Sequence, residues 1–503
     1  LPAWARSWRQ ARDQGARGAL LPNRVVQPGQ SVRFRVPDGP VHGYVLRGDV
    51  HGADAAALAE RLTTVGVRVL RLTADASAAG FRGYGEPAAG PATIAAGSYY
   101  VPLAQPAKHW VQAMLGQDAF VPFPYFYDVS SWSNPLLMGL AGGWSERPLP
   151  ADAVALDAPA SPAGPAADAP AYAFAGDSVG ALALATELLV RGAAVVREPV
   201  GGAITASGVG RDELTRLAGA RRVELRGVDG PPAGAVALRT PRVALLAVLA
   251  PVITGSAGPE NSDIHASHGW TRFVLAQRLG VAADVLGDAE LAAGRLRDGG
   301  YTALVVADGQ LPAGALGADA LAQVQAFVAA GGTFVGVRRL GLAVARAAGI
   351  STVAVRPAPP GFRVPGTTFA VTVDGRDPLG WGAGGPGFQL DVGDPILTDG
   401  GGAAVVRYDP GGRRVSGYAA RSAVLGGTPA LVDATFGAGR VALFASDPSF
   451  RAYVEAGQRL LGNALLAPPP APVAALRTAV SVSRLASAGA RRSAASRRSA
   501  HPR

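Results

Sequence analysis

Short apolar runs alternate with longer amphipathic segments along residues 241–467. An unbroken apolar run of about four to eight residues is typical of a strand buried in a parallel sheet, whereas apolar residues at every third or fourth position are typical of a helix. This alternation predicts an α/β fold with a doubly wound parallel sheet, of the flavodoxin or amidotransferase type. The predicted strands are 242–253, 282–286, 301–307 and 333–337; the predicted helices are 269–279, 289–296, 318–329 and a segment ending at 348; a glycine-turn hairpin within 435–448 and a helix at 450–465 follow.

The remaining sequence divides into further units by pattern and composition. A strand at 41–46, a helix at 53–64 and a strand at 67–72 predict an α/β unit near the N-terminus, followed by a strand at 99–103 and a helix at 108–115. After these elements the pattern of apolar and polar positions stops, and Ala, Asp and Pro predominate, as is typical of a linker. The predicted organisation is an α/β unit at 1–149, a linker at 150–170, a small α/β unit at 171–240, the unit at 241–467 and a disordered, arginine-rich tail at 468–503.

Charge and composition limit the function classes. The formal net charge is +10, but the tail carries seven arginines and no acidic residue, so most of the positive charge lies there. Lys108 is the only lysine, which excludes a phosphate-binding P-loop, and the charge distribution predicts no specific nucleic-acid partner. The absence of cysteine excludes disulfides and thiolate chemistry. No apolar run approaches the roughly 18 residues that a membrane span requires.

A segment unlike the rest of the chain runs through residues 97–139, where aromatic residues, prolines and amides are concentrated. It resembles the region that follows the catalytic domain in bacterial carboxypeptidase A-like zinc peptidases. The resemblance implies a secreted, extracellular protein whose parent removes C-terminal residues from peptides with zinc, and whose partner is its own upstream peptidase domain. The matching positions are Val101, Pro102, Gln105, Pro106, Tyr127, Asp128, Val129, Trp132, Pro135, Leu136, Leu137, Met138 and Gly139.

The zinc ligands of that family are not found in this sequence. A His-x-x-Glu pair supplies two of them, and none of the six histidines is followed by Glu at the third position. His51 with Asp54 is interpreted as a polar loop and helix cap, and His265 with His268 has no third ligand nearby. We therefore expect no metal or other cofactor in this chain and place the zinc in a catalytic domain upstream, unless the protein is a homologue that has lost its peptidase half.

Residues 176–180, Gly-Asp-Ser-Val-Gly, fit the nucleophile elbow of serine hydrolases and lie between a predicted strand and a predicted helix. The alternative is that Asp177 or Ser178 caps the helix through a side-chain oxygen. A hydrolase also needs an acid and a histidine, and the downstream histidines before the tail lie in the next unit. We favour the cap and keep Ser178 as a candidate nucleophile.

Residues 241–467 also resemble class I glutamine amidotransferase-like domains, through Leu-Val-Val-Ala-Asp-Gly at 304–309 and Gly-Gly-Thr-Phe-Val at 331–335. Active members place a cysteine in the turn after the second of these strands, where this chain has Arg338 and Arg339, so the domain is expected to be degenerate. Ligands bind at the carboxyl ends of strands in such sheets. The candidate ligand-binding rim consists of Asn261, His265, His268, Asp308, Arg338, Arg339 and Asp447. The alternative is that Asp447 only caps the final helix and that the two arginines pair with acidic residues.

These observations leave three functional hypotheses. The leading one is an accessory, non-catalytic region of a zinc carboxypeptidase-like protein that supports the peptidase and binds peptide. The second is a non-catalytic module that binds a carbohydrate or another small ligand. The third is a serine hydrolase that uses Ser178. Whether the chain is an enzyme in its own right stays open at this point, since neither a zinc site nor a complete nucleophilic centre is evident in the sequence.

Overall fold

The computed structural model describes residues 2–19, 40–117, 129–149, 152–156, 162, 164–165, 167–248, 266–311 and 315–470. The protein is a mixed α/β structure with several sheets and more than one domain, which confirms the expected fold class. Within the described residues, no helix combines the length and the apolar character that crossing a bilayer needs.

The first unit is built on a seven-stranded antiparallel sheet in the order β4-β3-β6-β1-β5-β2-β7. Leu58 and Leu62 of α2 pack on one face of this sheet. Edge strand β7 lies inside the predicted linker. The strands are β1 (Gly43–Leu46), β2 (Leu70–Leu72), β3 (Ala76–Gly83), β4 (Gly90–Ile94), β5 (Tyr99–Pro102), β6 (Gly142–Ser145) and β7 (Ala153–Ala155), and the helices are α1 (Pro2–Ala16), α2 (Gly52–Thr64), α3 (Lys108–Leu115) and α4 (Asn134–Met138).

The second unit is a five-stranded antiparallel sheet in the order β11-β8-β10-β9-β12. Helix α5 is apolar on nearly every side and packs in a core shared with the third unit, where Leu182 lies close to Gly462. The strands are β8 (Ala171–Phe174), β9 (Ala194–Arg197), β10 (Ile204–Ser207), β11 (Arg226–Val228) and β12 (Val236–Ala237), and the helices are α5 (Val179–Val190) and α6 (Arg211–Gly219).

The third unit contains a ten-stranded sheet with the main order β14-β13-β15-β16-β24-β23-β21-β18-β19, and β22 pairs with β18. Its first five strands are parallel and the others are antiparallel. A separate ladder joins β17 to β20. The strands are β13 (Val243–Leu246), β14 (Ala283–Leu286), β15 (Ala303–Val306), β16 (Thr333–Val337), β17 (Val355–Arg356), β18 (Thr367–Val373), β19 (Gly385–Asp391), β20 (Ile396–Leu397), β21 (Ala403–Tyr408), β22 (Arg414–Ser416), β23 (Pro429–Phe436) and β24 (Gly439–Phe444).

Helices of the third unit cover both faces of the parallel strands. Helices α8, α10 and α11 share one hydrophobic core with those strands, whereas the turn after α7 and helix α12 belong to another. Because the second half of the sheet is antiparallel, the doubly wound arrangement stays a prediction. The helices are α7 (Ala266–Phe273), continued by a π-helical turn (Val274–Arg278), α8 (Asp288–Ala292), α9 (Arg295–Asp298), α10 (Ala318–Ala329), α11 (Arg338–Ala347) and α12 (Glu455–Leu466), with 3₁₀ turns at Pro378–Gly380, Ser422–Leu425 and Phe450–Ala452.

Several predicted elements differ from the structure for local reasons. The predicted helix at 289–296 is divided into α8 and α9, because Gly294 adopts a φ of 80°. The predicted helix at 450–465 begins only at Glu455, after Arg451 and Ala452 adopt positive φ. Of the predicted strand at 242–253, β13 covers Val243–Leu246, and residues 249–253 lie outside the described part of the chain.

Candidate functional site

The turn between β16 and α11 is where the amidotransferase resemblance expects the catalytic cysteine. Its first helical residue, Arg338, has a φ of 51°, in the left-handed region that is unfavourable for residues other than glycine. The turn from strand to helix is therefore strained at Arg338. The side chain at that turn is a buried arginine, which has no nucleophilic chemistry here.

Arg338 is held in a cluster of buried carboxylates. Its Nε lies 2.7 Å from Asp394 Oδ1, and its Nη1 lies 3.6 Å from Asp308 Oδ2. Burial raises the pKa of Asp394 well above its ordinary value, although the Arg338 charge opposes this effect. Burial opposes the charge on Arg338, but the carboxylates of Asp394, Asp308, Asp447 and Asp391 together outweigh it, so the pKa of Arg338 is raised. Arg338 is therefore a structural counter-ion for these carboxylates.

The structure brings together only part of the predicted rim. Asp308, Arg338 and Asp447 share the cluster, and burial raises the pKa of Asp447 to about 6. Asp447 Oδ1 accepts the backbone N–H of Ser449 at 2.8 Å, at the turn that precedes the last helix. Arg339 is exposed and donates to the carbonyl of Gly393 at 3.2 Å.

Of the other predicted rim residues, only His268 lies in the described part of the chain. His268 is half-buried, and burial lowers the pKa of its ring. Asn261 and His265 lie outside the described residues. Sequence analysis missed Asp391, the last residue of the antiparallel strand β19, and Asp394, just after it, because the hydrophobic pattern did not predict that strand.

Ser178 acts as a helix cap, as predicted. Its Oγ accepts the backbone N–H of Ala181 at 3.1 Å, and the residue is 1% exposed with a φ of −131°. A Cβ on Gly176 would lie 2.2 Å from the carbonyl oxygen of Gly202, and one on Gly180 would lie 2.7 Å from that of Arg221. Both glycines are thus explained by close backbone packing, without catalysis.

Replacing Ser178 by alanine should lower the free energy of unfolding by about 1 kcal/mol, because the helix loses its side-chain cap. Urea denaturation followed by circular dichroism measures this change. Ser178→Asp, which keeps a capping oxygen, should recover most of the loss. A serine-reactive phosphonate should leave the wild-type protein unlabelled, and stoichiometric labelling that Ser178→Ala abolishes would show that the hydroxyl is a nucleophile.

His51 joins the first unit to the second. Its backbone N–H donates to Asp177 Oδ2 at 3.0 Å, and its Nδ1 lies 2.6 Å from the carbonyl oxygen of Asp177, so that ring nitrogen carries the proton. Burial lowers the pKa of the ring to about 4, and the nearby Arg459 charge acts in the same direction. His51 occupies the N-cap position of α2 but forms no side-chain capping bond. Across the described residues, no group of three or more His, Asp or Glu side chains is arranged to hold a metal ion.

A cleft of about 1020 Å³ lies beside this contact, between the first and second units. One wall is formed by the loop before α2 and by residues near β2 and β5, and the other by the β8–α5 turn and the segment leading into β11. Small apolar side chains alternate with charged ones along it. The charged lining residues are Asp49, Arg71, Asp177, Arg222, Glu224 and Arg226.

The motif that resembles zinc carboxypeptidases joins the first unit to the third. The Ser130 hydroxyl donates to the carbonyl of Gly366 at 3.1 Å and accepts the N–H of Tyr418 at 2.8 Å. The Ser131 and Thr368 hydroxyls lie 2.7 Å apart. These contacts bind residues 130–131 to the antiparallel half of the large sheet.

Helix α4, within the same motif, contacts α12 of the third unit. The contacts of residues 130–139 with the third unit are called the seam from here on. Met138 is 1% exposed, and its carbonyl accepts a hydrogen bond from Arg459 Nη1 at 2.9 Å. Gly139 has a φ of 64°, in the left-handed region that favours glycine, and a Cβ there would displace Arg459 Nη2, which would lie 2.6 Å away. Trp132 is 37% exposed, and Tyr127 and Asp128 lie outside the described residues.

Comparisons with known proteins give few similarities. No protein-family model and no curated protein matches the sequence. An exo-β-1,4-mannosidase from an Opitutaceae bacterium is similar at 12% identity over 51% of this chain and 38% of its own, with a TM-score of 0.27. A β-galactosidase from Bacillus circulans is similar at 17% identity over 44% of this chain and 30% of its own, with a TM-score of 0.28.

A third solved structure, a putative GMP synthase protein from Thermoplasma acidophilum, is similar at 11% identity over 44% of this chain and 92% of its own, with a TM-score of 0.27. The chain thus spans well under two thirds of the two glycosidases. Likenesses at this level carry no argument about fold or activity.

Proposed function

We propose that this chain is the non-catalytic accessory region of a carboxypeptidase A-like zinc peptidase, with the zinc-binding catalytic domain outside residues 1–503. The observation that carries the proposal is the position of the resembling motif. Two matching residues of the motif contact the third unit: Leu137 packs with Leu390 and Phe450, and the Met138 carbonyl accepts a hydrogen bond from Arg459. Ser130 and Ser131, at unspecified positions within the motif, add hydrogen bonds to the large sheet. A motif with this role is expected in a region that must keep its units in one arrangement beside a partner domain.

The two positions at which the described part of the chain could have carried a nucleophile support a non-catalytic role. Arg338 occupies the strained turn of the amidotransferase-like unit and is paired with carboxylates. The Ser178 hydroxyl is committed to a helix cap. On this proposal the partner is the chain's own peptidase domain, zinc is bound there, and the protein acts outside the cell on peptides.

Zinc content and carboxypeptidase activity test this proposal directly. Residues 1–503 and the full-length gene product should be purified in parallel, analysed for zinc by mass spectrometry, and assayed on a peptide with a free C-terminus. We expect zinc and activity only in the longer protein. Stoichiometric zinc in residues 1–503 alone, or a longer product with neither zinc nor activity, would contradict the proposal.

A second candidate function is a small-ligand-binding module, which the cleft between the first and second units favours. Its volume of about 1020 Å³ is at the upper end of the size of small-molecule sites. This function is compatible with an accessory role, because a region that binds ligand beside a peptidase need not perform chemistry.

A further inference from the structure

Arg71 and Tyr99 form a pair on the wall of the cleft. They are directly opposite each other in the antiparallel β2–β5 ladder, so their side chains lie on the same face of the sheet. Arg71 is exposed, and none of the described acidic residues lies within ion-pair distance of it. Tyr99 is 9% exposed, and its hydroxyl has no hydrogen-bond partner among the described residues. The hydroxyl is not one of the fully buried unpaired atoms, so it reaches the cleft and can bond to a ligand there.

The start of α2 adds donors to the same cleft. Gly52 and Ala53 line it, and their backbone N–H groups are among those that a helix leaves unpaired at its N-terminus. His51, at the N-cap, offers no side-chain acceptor to them. The Asp177 carboxylate, which accepts the N–H of His51, also lies at this end of the 13-residue helix and offsets part of its positive charge.

The charges that line the cleft are not equally available. Asp49 is paired with Arg47, and Arg222 is paired with Glu60, so these two charges are already compensated. Asp177 accepts the N–H of His51.

The charged groups without an ion-pair partner in the described part of the chain include Arg71, Arg226 and Glu224. Asp177 keeps its charge too, because it faces His51, whose pKa burial lowers to about 4, so these four charges sum to zero. The preference for an anion is therefore local to Arg71 and the Tyr99 hydroxyl and does not come from a net positive charge of the cleft.

We propose that this cleft binds a small organic oxyanion, a carboxylate or a phosphate ester, whose charged group is held by Arg71 and the Tyr99 hydroxyl near the start of α2. A guanidinium donates two parallel hydrogen bonds to either group. The remaining volume, walled by Ala56, Ala173 and Phe174, takes the ligand's uncharged part. The oxyanion site does not depend on the zinc peptidase proposal.

Isothermal titration of residues 1–503 tests the site with three probes: succinate, inorganic phosphate and the uncharged sugar maltose. We expect succinate, phosphate or both to bind, and maltose not to bind. The anion that binds with the lower Kd then shows whether the site prefers a carboxylate or a phosphate. Binding of maltose alone would overturn the proposal in favour of a carbohydrate site, and no binding by any probe would also overturn it.

Variants locate the binding in the cleft. Arg71→Gln should weaken the anion's Kd about tenfold or more, because a charge-assisted hydrogen bond is lost. Tyr99→Phe should weaken it about threefold to tenfold, because a single neutral hydrogen bond is removed. The matched control is Arg68→Gln, since Arg68 is also exposed but does not line the cleft.

Arg68→Gln should leave the Kd unchanged within about twofold, and all three variants should melt at the temperature of the wild type without ligand, because none removes a packed group. If Arg68→Gln and Arg71→Gln weakened anion binding equally, binding would depend only on the overall charge of the protein. That result would refute the site. Because the titration uses no zinc and no peptide, its failure is separable from failure of the accessory role.

Discussion

Replacing Arg338 by methionine is expected to lower the free energy of unfolding by about 3–5 kcal/mol, because it leaves buried carboxylates without their counter-charge. Asp394 and Asp308 are 1% and 3% exposed at their side chains, so water cannot take the place of the guanidinium. Methionine fills most of the volume of the arginine side chain, so the loss of stability measures the missing charge and not a cavity. Urea denaturation at pH 8 measures the difference.

The pH dependence of this loss identifies its cause. Lowering the pH allows the unpaired carboxylates to take up protons, so Arg338→Met should cost less at pH 5 than at pH 8. The double variant Arg338→Met with Asp394→Asn should recover part of the stability. The neighbouring control Arg339→Met should cost at most about 0.5 kcal/mol, since Arg339 is exposed. An Arg338 effect no larger than this, at either pH, would mean that the cluster is not a stabilising ion pair.

Replacing Arg459 by methionine should cost a similar amount, about 3–5 kcal/mol, because it removes a buried ion pair between the first and third units. Arg459 Nη1 donates to Asp54 Oδ2 at 2.8 Å and to the Met138 carbonyl at 2.9 Å. The side chains of Arg459 and Asp54 are 5% and 6% exposed. A double-mutant cycle with Asp54→Asn should give a coupling energy of about 1–3 kcal/mol.

A matched surface pair is the control for this cycle. Arg191 contacts Glu187 and Glu213 with much greater exposure to solvent, so Arg191→Gln should have a much smaller effect on stability than Arg459→Met. Limited proteolysis adds a structural measure, because Arg459→Met should expose the seam around Met138 to cleavage. Strict additivity of the Arg459 and Asp54 variants would argue against the pair.

Asp54 also makes the contribution of this interface to stability depend on pH, in a direction that can be predicted. Burial raises its pKa to about 7, although Arg459 opposes the shift. The folded state then holds the proton more tightly than the unfolded state, so the contribution of Asp54 falls as the pH rises from about 4 to about 7. The stability of the wild type relative to Asp54→Asn should therefore decrease across this range. His51, with its pKa lowered to about 4, acts with the opposite sign, and its contribution is lost as the pH falls from about 6.5 to about 4.

The local pattern of apolar and polar residues was sufficient to predict the elements that are short, apolar and bounded by glycine. Helix α10 and strand β16 occupy the predicted residues, 318–329 and 333–337, with Gly331 and Gly332 between them. Of the antiparallel pairs in the large sheet, only the β23–β24 hairpin was predicted, and strands β18, β19, β21 and β22 were missed. Strand β18 is buried at almost every position, so it shows no alternation of apolar and polar residues, and only its pairing with β19 and β21 defines it.

The candidate site was less predictable than the fold, because most of its contacts join distant positions. The sequence located Arg338 at the turn that lacks a nucleophile, but nothing in it paired Arg338 with Asp394. It singled out Ser178 and predicted the cap, because a cap is a local contact. Arg71 and Tyr99 drew no attention, since each is ordinary in its own segment and only the β2–β5 ladder brings them together.

By itself, then, the sequence determined the α/β class, the parallel strands from β13 to β16, the missing cysteine and His-x-x-Glu pair, and the helix cap at Ser178. Each of these depends on residue identity or on neighbours within a few positions. Only the tertiary structure decided that Asp54 meets Arg459, which is 405 positions away, and that the cleft opens between the first two units. The physical reason is that burial and charge pairing depend on which surfaces pack together, and that follows from the whole chain.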